Sequence, residues 1–546
     1  MGAEGGRRQG VGLLAATGVL LWSLEARAQE PISAIDWLTE RLRGNAQSEP
    51  GLPPVDSIED GFIPDQTGPL PPAPIEAGPL AGQGGGAIRT TVLAGSSPDA
   101  AGLFPATDAG LSPGFWGEAT RDEAIGAILP PRDYALAALR DLYRRILLAE
   151  FSPPEGSDAS GALLAARAEA LIATGAVDQA AALIAQGSAG GRTPPKLVQS
   201  AFDTALLIGD EARVCAEIAA APGLARDLAL RVFCLVRAGD WNAAALTLEI
   251  GRSLDRIDPA RAQLLAFFLD PSLIEESDTP PPQPEPLTPL DWRLLEAVGE
   301  ALPTQGLPLA FAHADLGGGA GWKARIEAAE RLARVGAIGH GVLFGIYTEA
   351  RPAASGGIWT RASAVGTLDA ALESGDGVAI AAALGEAWTA MSAAGLHVPF
   401  ARQYGEVLAE RDLPPEAAAL AFRVGLLSEG ARRIAADARP TDAEGLMLRA
   451  LALGIEADLP ADPVARDVVL ALTAAEPSAF VPPGMAAEVA RGRSALALLT
   501  ALDAVDAAAA GDAGDLAGAL ALMRSVGLDR VARAAALELL LIERRG

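Results

Sequence analysis

Residues that carry chemistry are scarce in this chain of 546 residues, which has only three histidines and two cysteines. His313, His340 and His397 stand too far apart in sequence for a local metal site, and no Cys–His pair has ligand spacing. Gly-x-Ser-x-Gly and His-Glu-x-x-His are absent, which removes two hydrolase mechanisms that leave a sequence signature. The glycine-rich run at 317–321 is followed by neither Gly-Lys-Ser nor Gly-Lys-Thr, so it does not read as a phosphate loop. Positive charge is also short, with 43 Lys and Arg against 69 Asp and Glu and a formal net charge of -26. Such an excess repels nucleic acid and anionic lipid alike. Aromatics make up 5% of the chain while half of it is hydrophobic, much of that Ala, so the core must come from close helix packing rather than from large side chains. These absences predict a protein that is not an enzyme and uses no cofactor and no metal.

What the chain does have is a repeated helical unit. ALIATGAVDQAAALIAQG at 170–187, TALLIGDEARVCAEIAAA at 204–221 and CLVRAGDWNAAALTLEIG at 234–251 each join two apolar helical runs through a Gly and an acidic or polar step. Gly175, Gly209 and Gly239 stand where a helix must end in a left-handed conformation, and Asp178, Asp210 and Asp240 stand where a carboxylate could accept from the next helix's free amides. Gly209 follows Gly175 by 34 residues and Gly239 follows Gly209 by 30. Periods of that length mark stacked helix pairs, each too small to bury its own apolar stripe. Gly239-Asp240-Trp241 with Ala244, and Gly175 with Ala180, are similar to the turn and small-residue positions of tetratricopeptide repeats. The predicted fold is all-α, a tetratricopeptide-like α-solenoid of stacked helical hairpins.

Residues 1–28 read as a secretory signal peptide: Arg7 and Arg8, an apolar run to Trp22, and Ala26-Arg27-Ala28 before the cleavage point. Three Arg and two Glu leave with it, taking the charge from -26 to -27. The apolar run is short for a membrane span and no Cys adjoins the cleavage point, so no stable membrane anchor is expected and the mature chain is placed in a periplasm or outside the cell. Residues 29–44 hold Ile35, Leu38 and Leu42 at helical spacing with Trp37 beside them, a short amphipathic helix that either folds back on its own chain or docks on another protein. Residues 45–118 read as a Pro- and Gly-rich disordered linker, 119–270 as a first helical-repeat subdomain, 271–287 as a Pro-rich crossover and 288–546 as a second helical subdomain. Cys215 and Cys234 flank Pro222-Gly223-Leu224 and are a candidate disulfide. A turn centred near Leu224 brings them level on facing helices, whereas one nearer Pro222 sets them about a helical turn apart.

Trp322, Lys323, Tyr347, Arg351, Trp359 and Arg361 concentrate cations and aromatics in a chain poor in both, and form a candidate surface for carboxylate-bearing or sugar-like ligands. The alternative is internal: the tryptophans anchor irregular turns, and the arginines pair with nearby Glu327, Glu330 and Glu349. GIYTEARPAASGGIWTR at 345–361, with AIDWL at 34–38 and GFWG at 114–117, resembles exported helical-repeat proteins of alphaproteobacteria related to Rhodobacter. The resemblance implies compartment and fold and carries no reaction with it. Soluble lytic transglycosylases also build on rings of helices, but their catalytic Glu-Ser, Gly-Leu-Met-Gln and Ala-Tyr-Asn elements are missing here. The expectation is a non-enzymatic periplasmic scaffold or adaptor for an unidentified cell-envelope protein. A binding module for cell-wall glycan or peptide fragments is its first alternative, and a cell-wall hydrolase its second.

Overall fold

Helical spacing of Ala and Leu is realised almost everywhere in the computed structural model, which describes residues 97–189, 193–277, 279–317, 319–352 and 354–542. Among the described residues helix, short 3-10 turns included, accounts for 66%, and 25 α-helices have packed neighbours. Among the described residues no helix is long and apolar enough to cross a membrane. The signal-peptide stretch, the 29–44 stretch with Ile35, Trp37, Leu38 and Leu42, and linker residues 45–96 lie outside the described residues.

The turn glycines take their expected role, with Gly175, Gly209 and Gly239 at φ of 80°, 83° and 79°. A side chain is strained in that region, so glycine ends each helix at no steric cost. The aspartates divide. Asp240 accepts from the Ala243 amide at 3.1 Å and caps the helix Trp241–Ser253, whereas Asp210 turns to Arg213 at 3.0 Å and makes no side-chain cap. Asp178 falls inside the first turn of Val177–Gly187, two positions past the N-cap at Ala176. Ala180 and Ala244 are fully buried, as the close approach of paired helices requires. Cys215 on Glu211–Ala220 and Cys234 on Leu228–Arg237 lie across one helix pair and form a disulfide with a Cα–Cα distance of 5.1 Å.

Residues 97–118 correct the expected linker boundary, because they belong to the fold. Arg167, buried within the helix Ala162–Ala173, donates to the carbonyls of Asp99, Ala101, Leu147 and Ala149, so its charge ties the first described residues to the helix before it. Phe104–Pro105 then pairs in parallel with Ala149–Glu150, and Phe115, Trp116 and Phe151 form a buried ring cluster. Proline and glycine here set turns around that cluster. In composition they look the same as a solvated linker.

The main core also crosses the boundary expected at 271–287. One continuous cluster joins Ala106 through Leu295 to Leu426 through Leu539, while a second holds Ile326 through Leu427. The first and last parts of the described chain therefore share a core, and the middle part has its own. The seam between first and last parts is fastened by polar contacts. Arg132 Nε meets Asp503 at 2.8 Å, Tyr134 donates to Asp503 at 2.9 Å, the Ala135 amide donates to Asp506 at 2.6 Å, and Arg493 pairs with Glu123. The helix Ala137–Leu148 has no local side-chain cap, and the Ala138 amide donates instead to the buried carboxylate of Glu538 on Asp529–Leu541. Here a remote helix supplies what a Ser or Asp at the N-cap ordinarily would.

Candidate binding groove

The helices Ile358–Ser374 and Gly377–Ala393 lie side by side, and each has a clear inner face. Ile358, Ala362, Val365, Leu368 and Ala371 of the first, and Ile380, Ala383, Leu384, Ala387 and Met391 of the second, are buried. Shifting along the 3.6-residue period gives the outer face, and there the residues are small or hydroxylic: Ser363, Gly366, Thr367 and Ala370, then Gly385, Thr389, Ala390 and Ala393. These form the floor of an open groove of about 1920 Å³, walled by the end of His340–Thr348 and by residues 349–352, 354 and 355, with Arg411 also lining it. From Trp359 to Glu373 it follows about 21 Å of helix.

Three of the six residues expected to form a ligand surface line this groove, namely Tyr347, Arg351 and Trp359. The other three stand behind it. Trp322 packs on Trp359 with ring centroids 5.0 Å apart and donates its indole N–H to the Ile346 carbonyl at 2.8 Å, so it braces the wall. Arg361 makes a two-pronged pair with buried Glu330, at 2.7 and 2.6 Å, and the Tyr347 hydroxyl donates to the same carboxylate at 2.7 Å. Burial works against the Arg361 charge, yet Glu330 holds the guanidinium above its ordinary range; burial and that same carboxylate push the Tyr347 phenol up. Lys323 meets Glu327 at 3.0 Å, and Arg325 grips Glu349 through both Nη atoms. The internal alternative thus accounts for Arg361, Glu327 takes up the exposed Lys323, and Arg351 is left as the cation of the set with no ion pair among the described residues.

Arg351 and Arg411 are exposed and make no ion pair among the described residues, and the same holds for Glu373 and Glu386. Asp369 differs: burial raises its pKa above the usual carboxylate range, against the pull of the Tyr404 hydroxyl, which donates to it at 2.8 Å. Three threonines of the groove have spent their protons. Thr348 donates to the Phe344 carbonyl, Thr367 to Ser363 and Thr389 to Gly385, at 3.0, 2.9 and 2.8 Å. A threonine bonded back to its own helix offers only lone pairs outward. The groove floor is therefore rich in acceptors, and it suits a ligand that supplies N–H or O–H donors.

The lining contains no His and no Cys. His313 is buried, one ring nitrogen 2.7 Å from the Gly175 carbonyl, and burial lowers its pKa. His397 stacks edge-on against Trp388 at 5.5 Å. Among the described residues no cluster of three or more His, Cys, Asp or Glu could hold a metal ion.

The floor residues and Arg411 went unread in the sequence. Thr367, Glu373, Glu386 and Thr389 follow the helical period of any solvent-facing side, and nothing in one chain's pattern separates a concave face from a convex one. Comparison with family models, curated proteins and solved structures gives no match for the chain.

Proposed function

We propose that this protein is an exported, non-enzymatic helical scaffold whose groove holds an extended segment of a partner protein of the cell envelope. The observation that carries this reading is the groove's acceptor-rich floor of small residues along two parallel-lying helices. A backbone can approach Gly, Ala and Ser closely, and its amides are donors to which Thr367 and Thr389 offer lone pairs. About 21 Å of helix accommodates about six residues of extended chain at ~3.3 Å each. Exposed Arg351 and Arg411, with exposed Glu373 and Glu386, then select charged side chains along the segment. Left-handed glycines between helix pairs and buried alanines at their crossings support the tetratricopeptide-like solenoid as the scaffold's architecture. The acidic excess and the leader-like first 28 residues support the compartment.

A second reading keeps the same groove and changes its occupant to a cell-wall glycan or peptide fragment. Trp359 beside Arg351 favours it, since a sugar stacks on an indole and a carboxylate suits a guanidinium.

A photocrosslinking residue at Thr367 or Thr389, in cells exporting the chain, tests the groove directly. The scaffold reading expects an adduct with one envelope protein, and a Kd for that purified partner at least tenfold weaker in Thr367→Trp, which fills the exposed floor. A chain lacking residues 29–44 should keep that affinity if the groove is the site, and lose it if the N-terminal stretch does the docking. Adducts with muropeptides alone establish the second reading. No adduct at either position and no effect of Thr367→Trp on any captured partner overturn both.

A further inference from the structure

The two ends of the groove differ in charge, and the helix hairpin beneath it fixes which end is which. Ile358–Ser374 starts beside Trp359 and stops at Gly375, and Gly377–Ala393 runs back from its N-cap Asp376. Trp359 therefore marks one end and Glu373 the other. Arg351 belongs to the Trp359 end, since it follows closely on Ile346, whose carbonyl accepts from the indole of Trp322, the ring packed on Trp359. Arg411 belongs to the Glu373 end, because a Cβ added at Gly377 would lie 2.3 Å from the carbonyl oxygen of the next residue, Asp412.

The charge left over differs at each end. At the Trp359 end Glu349 is held by both Nη atoms of Arg325, while exposed Arg351 makes no ion pair among the described residues. A guanidinium beside an indole is what remains there. Towards the other end come three carboxylates. Asp369 and Glu373 stand one helix turn apart on the groove side of their helix, and the charge of Glu373 adds to the burial that raises the Asp369 pKa. Glu386 sits on the return helix about 15 Å from its start, level with the middle of the groove. Only Arg411 offsets these three within the lining, and neither Glu373 nor Glu386 makes an ion pair among the described residues.

Like charges that line a concave wall focus a field, and a cation reaching between them relieves their repulsion. From Trp359 to Asp369 and on to Glu373 is about 15 to 21 Å of helix, which about five or six residues of extended chain would span at ~3.3 Å each.

Resting on the groove as the binding site, we infer that its occupant is an extended segment of separated charge, with a basic side chain between Asp369 and Glu373, an acidic one at Arg351, and small uncharged residues over the hydroxylic floor between them. A uniformly basic segment meets Arg351 at one end. A uniformly acidic one meets three carboxylates at the other.

The test uses the purified chain and two fluorescent octapeptides, acetylated and amidated at their ends. One is Lys-Lys-Ala-Ser-Ala-Ser-Glu-Glu, and the other has the same composition with Lys and Glu alternating. At low ionic strength the first should bind about fivefold more tightly, and added salt should shrink the difference. Arg351→Glu and Glu373→Lys, both at exposed positions, should each bring that ratio below about twofold. A photoreactive group beside the glutamates should label the chain near Trp359, and one beside the lysines should label it near Glu373. Equal binding of the two peptides, a preference that survives both substitutions, or the reverse labelling overturns the inference; if Thr367→Trp still weakens binding, the groove reading stands without it. If neither peptide binds, or Thr367→Trp changes neither affinity, the groove itself fails as the site and the inference falls with it.

Discussion

Replacing Glu538 by Gln should stabilise the protein at alkaline pH and do almost nothing at acidic pH. Glu538 is 4% exposed, and both its oxygens lie 3.1 Å from the Ala138 amide. Desolvation by burial pushes its pKa from 4.5 up to about 7, against the amide and against Arg140 and Arg402, with Asp141 adding to the rise. A carboxyl whose folded pKa is raised holds its proton more tightly when folded. Its stabilising share is complete below pH 4.5, where both states are protonated, and is lost as pH climbs through about 7, where a buried charge must form. A rise of that size corresponds to about 3 kcal/mol. Gln keeps an acceptor for the Ala138 amide and cannot ionise. Urea unfolding followed by circular dichroism should therefore show Glu538→Gln and the native chain within about 1 kcal/mol at pH 5, and the variant more stable by about 3 kcal/mol at pH 8. Glu538→Ala serves as the control, since it leaves the Ala138 amide buried without an acceptor and should be destabilised at pH 5, with the loss shrinking at pH 8 because the buried charge goes too. A difference between Glu538→Gln and the native chain that does not change from pH 5 to pH 8 would refute the reasoning.

Two further substitutions probe how the chain's first described part is held. Arg167→Met removes a charge from which four backbone carbonyls accept, and whose pKa burial has lowered to about 10. The expected loss is about 3 to 5 kcal/mol, with fast hydrogen exchange at the Leu103 amide, which donates to the Leu148 carbonyl at 2.8 Å; unchanged protection there would contradict the anchoring role. Gly117→Ala should be worse than its size suggests, because Gly117 has φ of 54° and an added Cβ would lie 1.8 Å from the Gly492 carbonyl oxygen. That contact cannot be relieved by a side chain moving aside, so a loss above about 3 kcal/mol is expected, and an unfolding midpoint equal to that of the native chain would show that the seam yields easily.

How far the sequence could be read follows from which interactions are local. Helix, turn and small-residue crossing are encoded within a few residues, so the glycines at 175, 209 and 239 and the alanines at 180 and 244 were legible. Charge pairing was legible in kind: the arginines were expected to meet Glu327, Glu330 and Glu349, and Arg361 does meet Glu330. The fold of residues 97–118 was hidden because it depends on Arg167, a residue far along the chain whose burial no pattern announces. Arg411 and the groove floor were hidden for a related reason, since concavity belongs to the packing of several helices and to none of them singly.

By itself, then, the sequence determined a chain that is mostly helical, acidic, punctuated by left-handed glycines and without the signatures of the common hydrolases. These are properties of composition and of periods shorter than a helix. Only the tertiary structure decided that the first and last parts share a core, that Glu538 caps a helix some four hundred residues away, and that Arg351 faces a groove while Arg361 is neutralised by Glu330. Each of those depends on which groups meet after the chain has closed, and burial then changes their energies: the same carboxylate or guanidinium is a solvated surface charge, a cap or a ligand site according to what the fold removes from water.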